Sequence, residues 1–277
     1  MTAGSERPRQ QEAYMHDYDG AITEHVIATR TAEIHAAFLL PHLRAGMDLL
    51  DCGCGPGTIT LGLAQAVSPG RVTGIDVEES QLARAREKAA ERGLTNVDFE
   101  RGDAYELAYR DEQFDAVFSH AMLDHKREPL AILKELHRVL KPGGLIALRS
   151  VDLAATLIAP ANTTLTRAFD IWLKHRQHCG GDPFIGRRLR AMLHGVGFTK
   201  TIGSSSSESW GTPEATQLMV TALMDEFTGP KITETALQMG WADQTQMDGA
   251  ARALEDWGAH ADAFMAILWC EAVGWKA

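Results

Sequence analysis

The stretch Leu49-Leu50-Asp51-Cys52-Gly53-Cys54-Gly55-Pro56-Gly57-Thr58 decides how this chain is read. Apolar residues lead into an acid, glycines follow at alternating positions, and an apolar-periodic segment begins at Thr58. That order predicts a buried strand, a tight turn and a helix start. Glycine is needed in such a turn because a side chain would keep a ligand away from the backbone. Nucleotide folds of several kinds share a glycine-alternating loop, so the neighbouring segments carry the discrimination.

Working outward, Arg71-Val72-Thr73-Gly74-Ile75-Asp76 reads as a second strand ending in an acid. Asp76 falls near the spacing, roughly 20 residues, at which a ribose-binding carboxylate follows a glycine loop. A third strand over 96–104 closes on Gly102-Asp103, and a fourth runs from Phe114 to His120. Lys141-Pro142-Gly143-Gly144 reads as a turn that delivers Leu145-Ile146-Ala147-Leu148 as a fifth strand. Helices are expected over 58–67, 80–92 and 128–140. Strand and helix signals alternate from Met47 to Ser150, which predicts a parallel sheet covered on both faces. In such a sheet ligands sit outside the carboxyl ends of the strands, where strand order reverses.

These ordered motifs, over about Leu40 to Ser150, closely resemble the class I S-adenosylmethionine (SAM) methyltransferases of the UbiE/methyltransferase-domain-11 type. The resemblance implies an α/β fold: a Rossmann-like seven-stranded sheet with an N-terminal helical cap and a C-terminal helical insertion. It would place Phe264 to Trp275 as a last strand, antiparallel between strands five and six. It implies SAM as cofactor, released as S-adenosylhomocysteine. Gly53, Gly55 and Gly57 would let the backbone approach the methionine and ribose portions, and Asp51 would hold the loop or a water near the amino group. Asp76 would accept from the ribose hydroxyls, and Asp103 with Ala104 would meet the adenine edge. Val77 and Gln81 would complete that wall, Ser119, His120 and Ala121 would border the methionine end, and Arg30 would pair with the methionine carboxylate.

A dinucleotide is the rival ligand for a glycine loop followed by an acid. Its fingerprint needs G-x-G-x-x-G, and this loop has Thr58 where the last glycine would stand. Gly102-Asp103 also has no role in that scheme.

Methyl transfer needs a nucleophile aligned behind the S–CH₃ bond and water excluded. A phenol, with its pKa near 10, would also need a base. His120, directly past the fourth strand, is a candidate either as that base or as lining of the cofactor site. Tyr18 and His25, in an element that folds over the cofactor in related enzymes, are the others. Asp124 and His125 match a family pattern independent of substrate, which points to a structural role. Ser119-His120-Ala121-Met122 stands where enzymes that methylate exocyclic amines of bases show [Asn/Asp]-Pro-Pro-[Tyr/Phe].

Charge supports the same exclusion. With 27 basic and 37 acidic residues the formal charge is −10, and no basic stripe of the kind that binds phosphates is visible. A nucleic-acid partner is therefore not expected, and neither is a membrane partner, since no apolar run approaches the ~18 residues of a span. Met1 to Gln11 is polar without an apolar signal core, so a cytoplasmic location is expected. Cys52-Gly53-Cys54 has no second pair at ligand spacing, so no metal site is expected.

Residues 1–45 read as a disordered tail followed by a helical cap, with one helical pattern from Ala21 to Leu40. Residues 46–277 read as the SAM-binding domain, with a helical lid inserted at about 205–260 and Ser204 to Ser207 leading into it. Met219, Leu223, Met224, Phe227, Met239, Trp241, Met247 and Trp257 in that lid would form either an adaptable pocket wall or ordinary core. The expected acceptor is a small, partly apolar metabolite, O-methylation being favoured because histidines crowd the site. C-methylation of a quinone precursor is the alternative, and a domain that binds SAM without transferring its methyl group is a third reading. A swapped N-terminal arm would allow a homodimer.

Overall fold

In the computed structural model, residues 20–277 are described. Tyr18 lies outside them, and of His25 only the backbone is described. The N-terminal segment departs from expectation. Instead of one helix from Ala21 to Leu40 it forms α1 (Ala21–His25), a 3₁₀ turn (Ile27–Thr29), α2 (Ala32–His35) and a second 3₁₀ turn (Leu40–His42). Arg30 and Thr31 between them are extended. The break has a tertiary cause: α2 docks so closely that a Cβ on Gly62 would lie 2.6 Å from the Ala32 Cβ. α2 packs on α3 while α1 packs on α8, and the extended Arg30 and Thr31 turn the chain between the two.

The expected alternation then follows: β1 (Leu49–Cys52), α3 (Thr58–Val67), β2 (Val72–Asp76), α4 (Glu79–Glu91), β3 (Val97–Arg101), β4 (Phe114–His120), α5 (Pro129–Val139) and β5 (Leu140–Ala159). The second half holds α6 (Thr163–His178), α7 (Leu189–Gly195), β6 (Lys200–Trp210), α8 (Pro213–Thr228), α9 (Pro230–Gln238), α10 (Gln244–Gly258) and β7 (Phe264–Trp275). The strands form one seven-stranded sheet in the order β3-β2-β1-β4-β5-β7-β6, with β7 antiparallel to both neighbours. Strand order reverses between β1 and β4, so the crevice of this α/β sheet opens there.

Local chemistry explains the helix starts. α6, α8 and α10 begin at Asn162, Thr212 and Asp243, whose side chains accept backbone N–H groups three residues on. At α10 the cap is reciprocal, Gln246 returning a hydrogen bond to the Asp243 backbone, which satisfies two otherwise orphaned donors. Pro129, Pro213 and Pro230 open their helices, where a missing N–H costs nothing.

β5 is longer than expected. The turn at Lys141-Pro142-Gly143-Gly144 survives as a register shift between the Phe114–Leu140 and Ala116–Leu145 pairs, with Gly143 at φ +74. At its other end β5 runs on to Ala159 and pairs with the start of β7. β6 likewise pairs along its whole length with β7, so Ser204 to Ser207 are sheet and not a lead-in to the lid. The helical insertion is correspondingly shorter, 213–258. Serine is a poor strand former in isolation; cross-strand bonding to β7 overrides that preference.

The helices α6, α8, α9 and α10 bury Met219, Leu223, Phe227, Met247 and Trp257 against the arm of β5 and β7. Those side chains are therefore core. α1 packs on α8, which joins the N-terminal segment to the insertion. Among the described residues no helix is long and apolar enough to cross a membrane.

Candidate functional site

A cleft of about 1010 Å³, counting its open mouth, lies at the carboxyl ends of β1, β2 and β4. Its base is the glycine loop. Gly53 and Gly55 have φ of +80 and +51, a region that other residues adopt only at a cost. The Gly53 and Cys54 N–H groups donate to the Ile75 carbonyl at 2.8 and 2.9 Å, closing the loop onto β2. A Cβ on Gly53 would come within 2.8 Å of the Met122 side chain, whereas one on Gly55 would meet nothing within 4 Å. Gly55 thus leaves an open cradle on the cleft.

Two carboxylates flank the cradle. Asp51 is 2% exposed and accepts from Thr60 Oγ1 at 2.6 Å. Burial pushes it up to about 7; the Thr60 hydrogen bond opposes this and the Asp76 charge adds to it. Asp76 accepts from the N–H groups of Gly55 (2.9 Å) and Glu78 (3.0 Å). Burial raises it also, against those hydrogen bonds and the nearby Lys126 charge. Each carboxylate oxygen can accept more than one hydrogen bond, so Asp76 retains capacity for a diol.

Of the expected cofactor contacts, Asp51, Gly53, Gly55, Asp76, Val77, Gln81, Asp103, Ala104, His120 and Arg30 all border this cleft. Gly57 and Ser119 do not. Gly57, at φ +73, caps α3, and a Cβ there would lie 2.7 Å from Ala85 and 2.8 Å from Phe99; its smallness serves contact between α3, α4 and β3. Ser119 is buried and donates to the Cys52 carbonyl at 2.9 Å, tying β4 to β1.

Thr23 and Lys126, which also line the cleft, had no signal in the sequence. Ala121 holds φ +52 without being glycine, its N–H donating to the Arg149 carbonyl at 2.9 Å. That turn swings Met122, His125 and Lys126 to the cleft wall. Asp124 faces away from the chemistry: Arg176 Nη2 donates to it at 2.7 Å, and His125 Nε2 lies 3.3 Å off. Thr23 and Ile27 reach the mouth from the broken N-terminal segment.

The floor beyond β4 is a buried charged cluster. His120 pairs in register with Arg149 on β5, and Arg149 with Glu271 on β7. Arg149 is 1% exposed. Its Nη1 lies 2.6 Å from His120 Nε2, and Nη1 and Nη2 each donate to Glu208 Oε1 at 3.0 Å. Nε sits 3.5 Å from Glu271, which accepts from Ser204 (2.7 Å) and Ser206 (2.6 Å). The guanidinium lies 4.4 Å from the Trp269 ring centre, and the His120 ring packs on the same indole at 4.9 Å. His35 of α2 approaches Glu208 at 3.3 Å.

Burial pushes His120 well below the usual imidazole range, and the Arg30 and Arg149 charges push it the same way. Burial would raise Glu208, but the His35 hydrogen bond and the Arg30 and Arg149 charges outweigh it and hold the carboxyl at about 2. Burial and these charges thus favour the neutral ring, and its Nε2 lies against the Arg149 guanidinium rather than open to the cleft. As a general base it is poorly placed, because a base needs a free lone pair and a pKa near the working pH.

A family model described as "Methyltransferase domain" matches residues 43–180. The "Probable methyltransferase ltbC" of Aspergillus luteorubrus is 33% identical over 268 residues, covering 90% of this chain and 92% of that protein. The demethylmenaquinone methyltransferase of Staphylococcus aureus is 45% identical over 105 residues, 38% of this chain and 43% of the relative. Among solved structures, the YcgJ protein of Bacillus subtilis superposes with a TM-score of 0.61 at 17% identity, covering 88% of this chain and 98% of its own; that likeness concerns the fold.

Proposed function

From the class I, SAM-dependent methyltransferase family, to which this chain belongs, we propose that it transfers a methyl group from SAM to a small, partly apolar metabolite. One observation carries the cofactor part: an open glycine cradle at Gly55, a carboxylate at Asp76 and the exposed Val77 side chain share one cleft at the switch point of the sheet. That donor set fits an adenosine carrying an amino-acid arm. The Asp76 carboxylate suits the ribose diol, Val77 an adenine face, and Asp103 the adenine edge. Arg30 and Asp51 suit the carboxylate and ammonium of the arm, by opposite charge.

When bound, SAM supplies an activated methyl group on a sulfonium sulfur. The chain's own residues orient and seal. The loop from Ala121 to Lys126 walls one side and Thr23 and Ile27 the other, and α1, which carries Thr23, packs on α8 of the insertion. We take the described N-terminal residues 20–45 as a cap and the remainder as one domain with a lid, the acceptor entering between them. The absence of a basic stripe supports a small acceptor over a polyanion.

His120 holds no free lone pair, so the preference for O-methylation loses its main support; carbon methylation of a quinone precursor is the second reading. The demethylmenaquinone methyltransferase match supports that second reading. The test is incubation of the full chain with methyl-labelled SAM and panels of phenols, quinols and 1,3-dicarbonyl acids, read by mass spectrometry beside Asp76→Ala. Label on an acceptor, lost in the variant, is expected. SAM binding with no label leaving it under any panel would leave a domain that binds without transferring.

A further inference from the structure

The buried guanidinium beneath the cleft is a feature that methyl transfer does not by itself require. Arginine has five N–H donors and no acceptor. The 2.6 Å approach of Arg149 Nη1 to His120 Nε2 therefore has one chemical reading: the imidazole nitrogen accepts, and the ring's single hydrogen sits on Nδ1. We infer that Arg149 is a positioning residue of the transfer site, fixing His120 as the uncharged Nδ1–H form so that no second positive charge develops beside the sulfonium. The identity of that neighbour rests on the function proposed above.

Every element around the ring contributes to this. β5 brings Arg149, and the N-terminal segment brings Arg30 and His35. β7 brings Trp269 and Glu271, β6 brings Glu208, and Phe118 precedes His120 on β4. The carboxylates do not reach His120 as its partners, because Arg149 stands between: its fork serves Glu208 and the imidazole at once. A lysine, a point charge without a planar fork, would not hold both. With Arg149 removed, its charge is gone and Nε2 is released from the guanidinium beside Glu208 and Glu271, so the ring takes up a proton at higher pH than in wild type, against its burial and the Arg30 charge.

The ring's state is open to direct measurement in the full chain without cofactor. Imidazole nitrogen NMR on histidine-labelled protein, with His120 assigned through His120→Gln, is expected to show hydrogen on Nδ1 and no titration from pH 8 to 5. Hydrogen on Nε2, or titration in that window, would overturn the inference. In Arg149→Met the ring is expected to titrate at higher pH than in wild type, and Arg149→Gln, which keeps Glu208 and Glu271, gives the same reading if Arg149→Met does not fold.

Calorimetry with SAM supplies the second readout. Between pH 7.5 and 5.5 the Arg149→Met protein is expected to lose about tenfold more affinity than wild type, the effect of one added proton. Any dependence from Asp51 is common to both and cancels in the ratio. Adding His120→Gln is expected to abolish the extra loss, whereas equal ratios in wild type and Arg149→Met sink the inference. A wild type that binds no SAM overturns the proposed function instead, and the NMR result still decides the tautomer.

Discussion

The two halves of the sheet build their polar groups in different ways. On the β1–β4 side each group sits at the end of its own strand, within a few residues of a recognisable turn: Asp51 before the glycine loop, Asp76 closing β2, Asp103 after β3. On the β5–β7 side the cluster of Arg149, Glu208, Glu271, Ser204 and Ser206 is gathered by strand register from three strands. The first half writes its site in contiguous runs. The second writes it in pairings that exist only once the sheet has formed. Contiguity makes a site recognisable and lets its parts be removed singly; pairing across strands makes each member depend on the others.

The joint between the halves offers the largest effect. Arg176 of α6 and Asp124 after β4 form a pair buried on both sides, with side chains 4% and 3% exposed. Arg176→Met takes the guanidinium from a buried carboxylate that His125 alone would then face at 3.3 Å, and is expected to cost about 3–5 kcal/mol in urea unfolding. Replacing both partners by apolar residues is expected to recover most of that. Loss below about 1 kcal/mol would show that the halves are not joined through this pair.

Next comes the contiguous half. Asp76→Ala removes hydrogen bonds from a charged acceptor, worth about 1.5–3 kcal/mol each. SAM affinity is expected to fall about a hundredfold, about 2.7 kcal/mol. Calorimetry showing under a threefold change would separate Asp76 from the ribose.

Asp51 gives a pH signature of about tenfold. Its carboxyl stands at about 7 in the folded chain because burial disfavours the charge. A cationic ligand favours the ionised form, so SAM affinity is expected to rise about tenfold from pH 6 to 8 and level off above. The same shift sets a sign for stability. A carboxyl raised on folding makes the folded state bind more protons, so its contribution is full below about pH 4 and falls as pH rises towards 7. Asp51→Asn is expected to flatten both curves; an unchanged binding curve in that variant would assign the titration elsewhere.

The smallest effect sharpens the contrast most. Ser204 and Ser206 donate to Glu271, and their neighbours Ser205 and Ser207 point to the opposite face of β6. Alanine at 204 or 206 is expected to cost about 1–2 kcal/mol, and at 205 or 207 no more than about 0.5 kcal/mol. Four equal values from urea unfolding would mean that register does not decide the worth of these serines.

Much of the fold was legible because its signals are local. The glycine loop, the strand-end acids and the spacing of apolar residues placed α3, α4, α5 and β7 within a residue or two of where they lie. The misses share a cause. The pattern from Ala21 to Leu40 is helical in periodicity, yet contact of Ala32 with Gly62 breaks it. The serine run is flexible by composition, yet β7 holds it as sheet. Gly57 and Ser119 sit inside the motifs, and their neighbours in space also use them: Gly57 against Ala85 and Phe99, Ser119 on the Cys52 carbonyl.

By itself, then, the sequence determined the architecture, the place of the cleft and most of the groups along its cofactor side. Local conformational preference and apolar periodicity act within a few residues, and that information is carried by the chain in order. Only the tertiary structure decided the state of His120. Read alone it is a histidine past a strand and a natural candidate for a base. Set against Arg149 it is a neutral ring with its lone pair occupied, because strand register and burial placed a guanidinium 2.6 Å from Nε2.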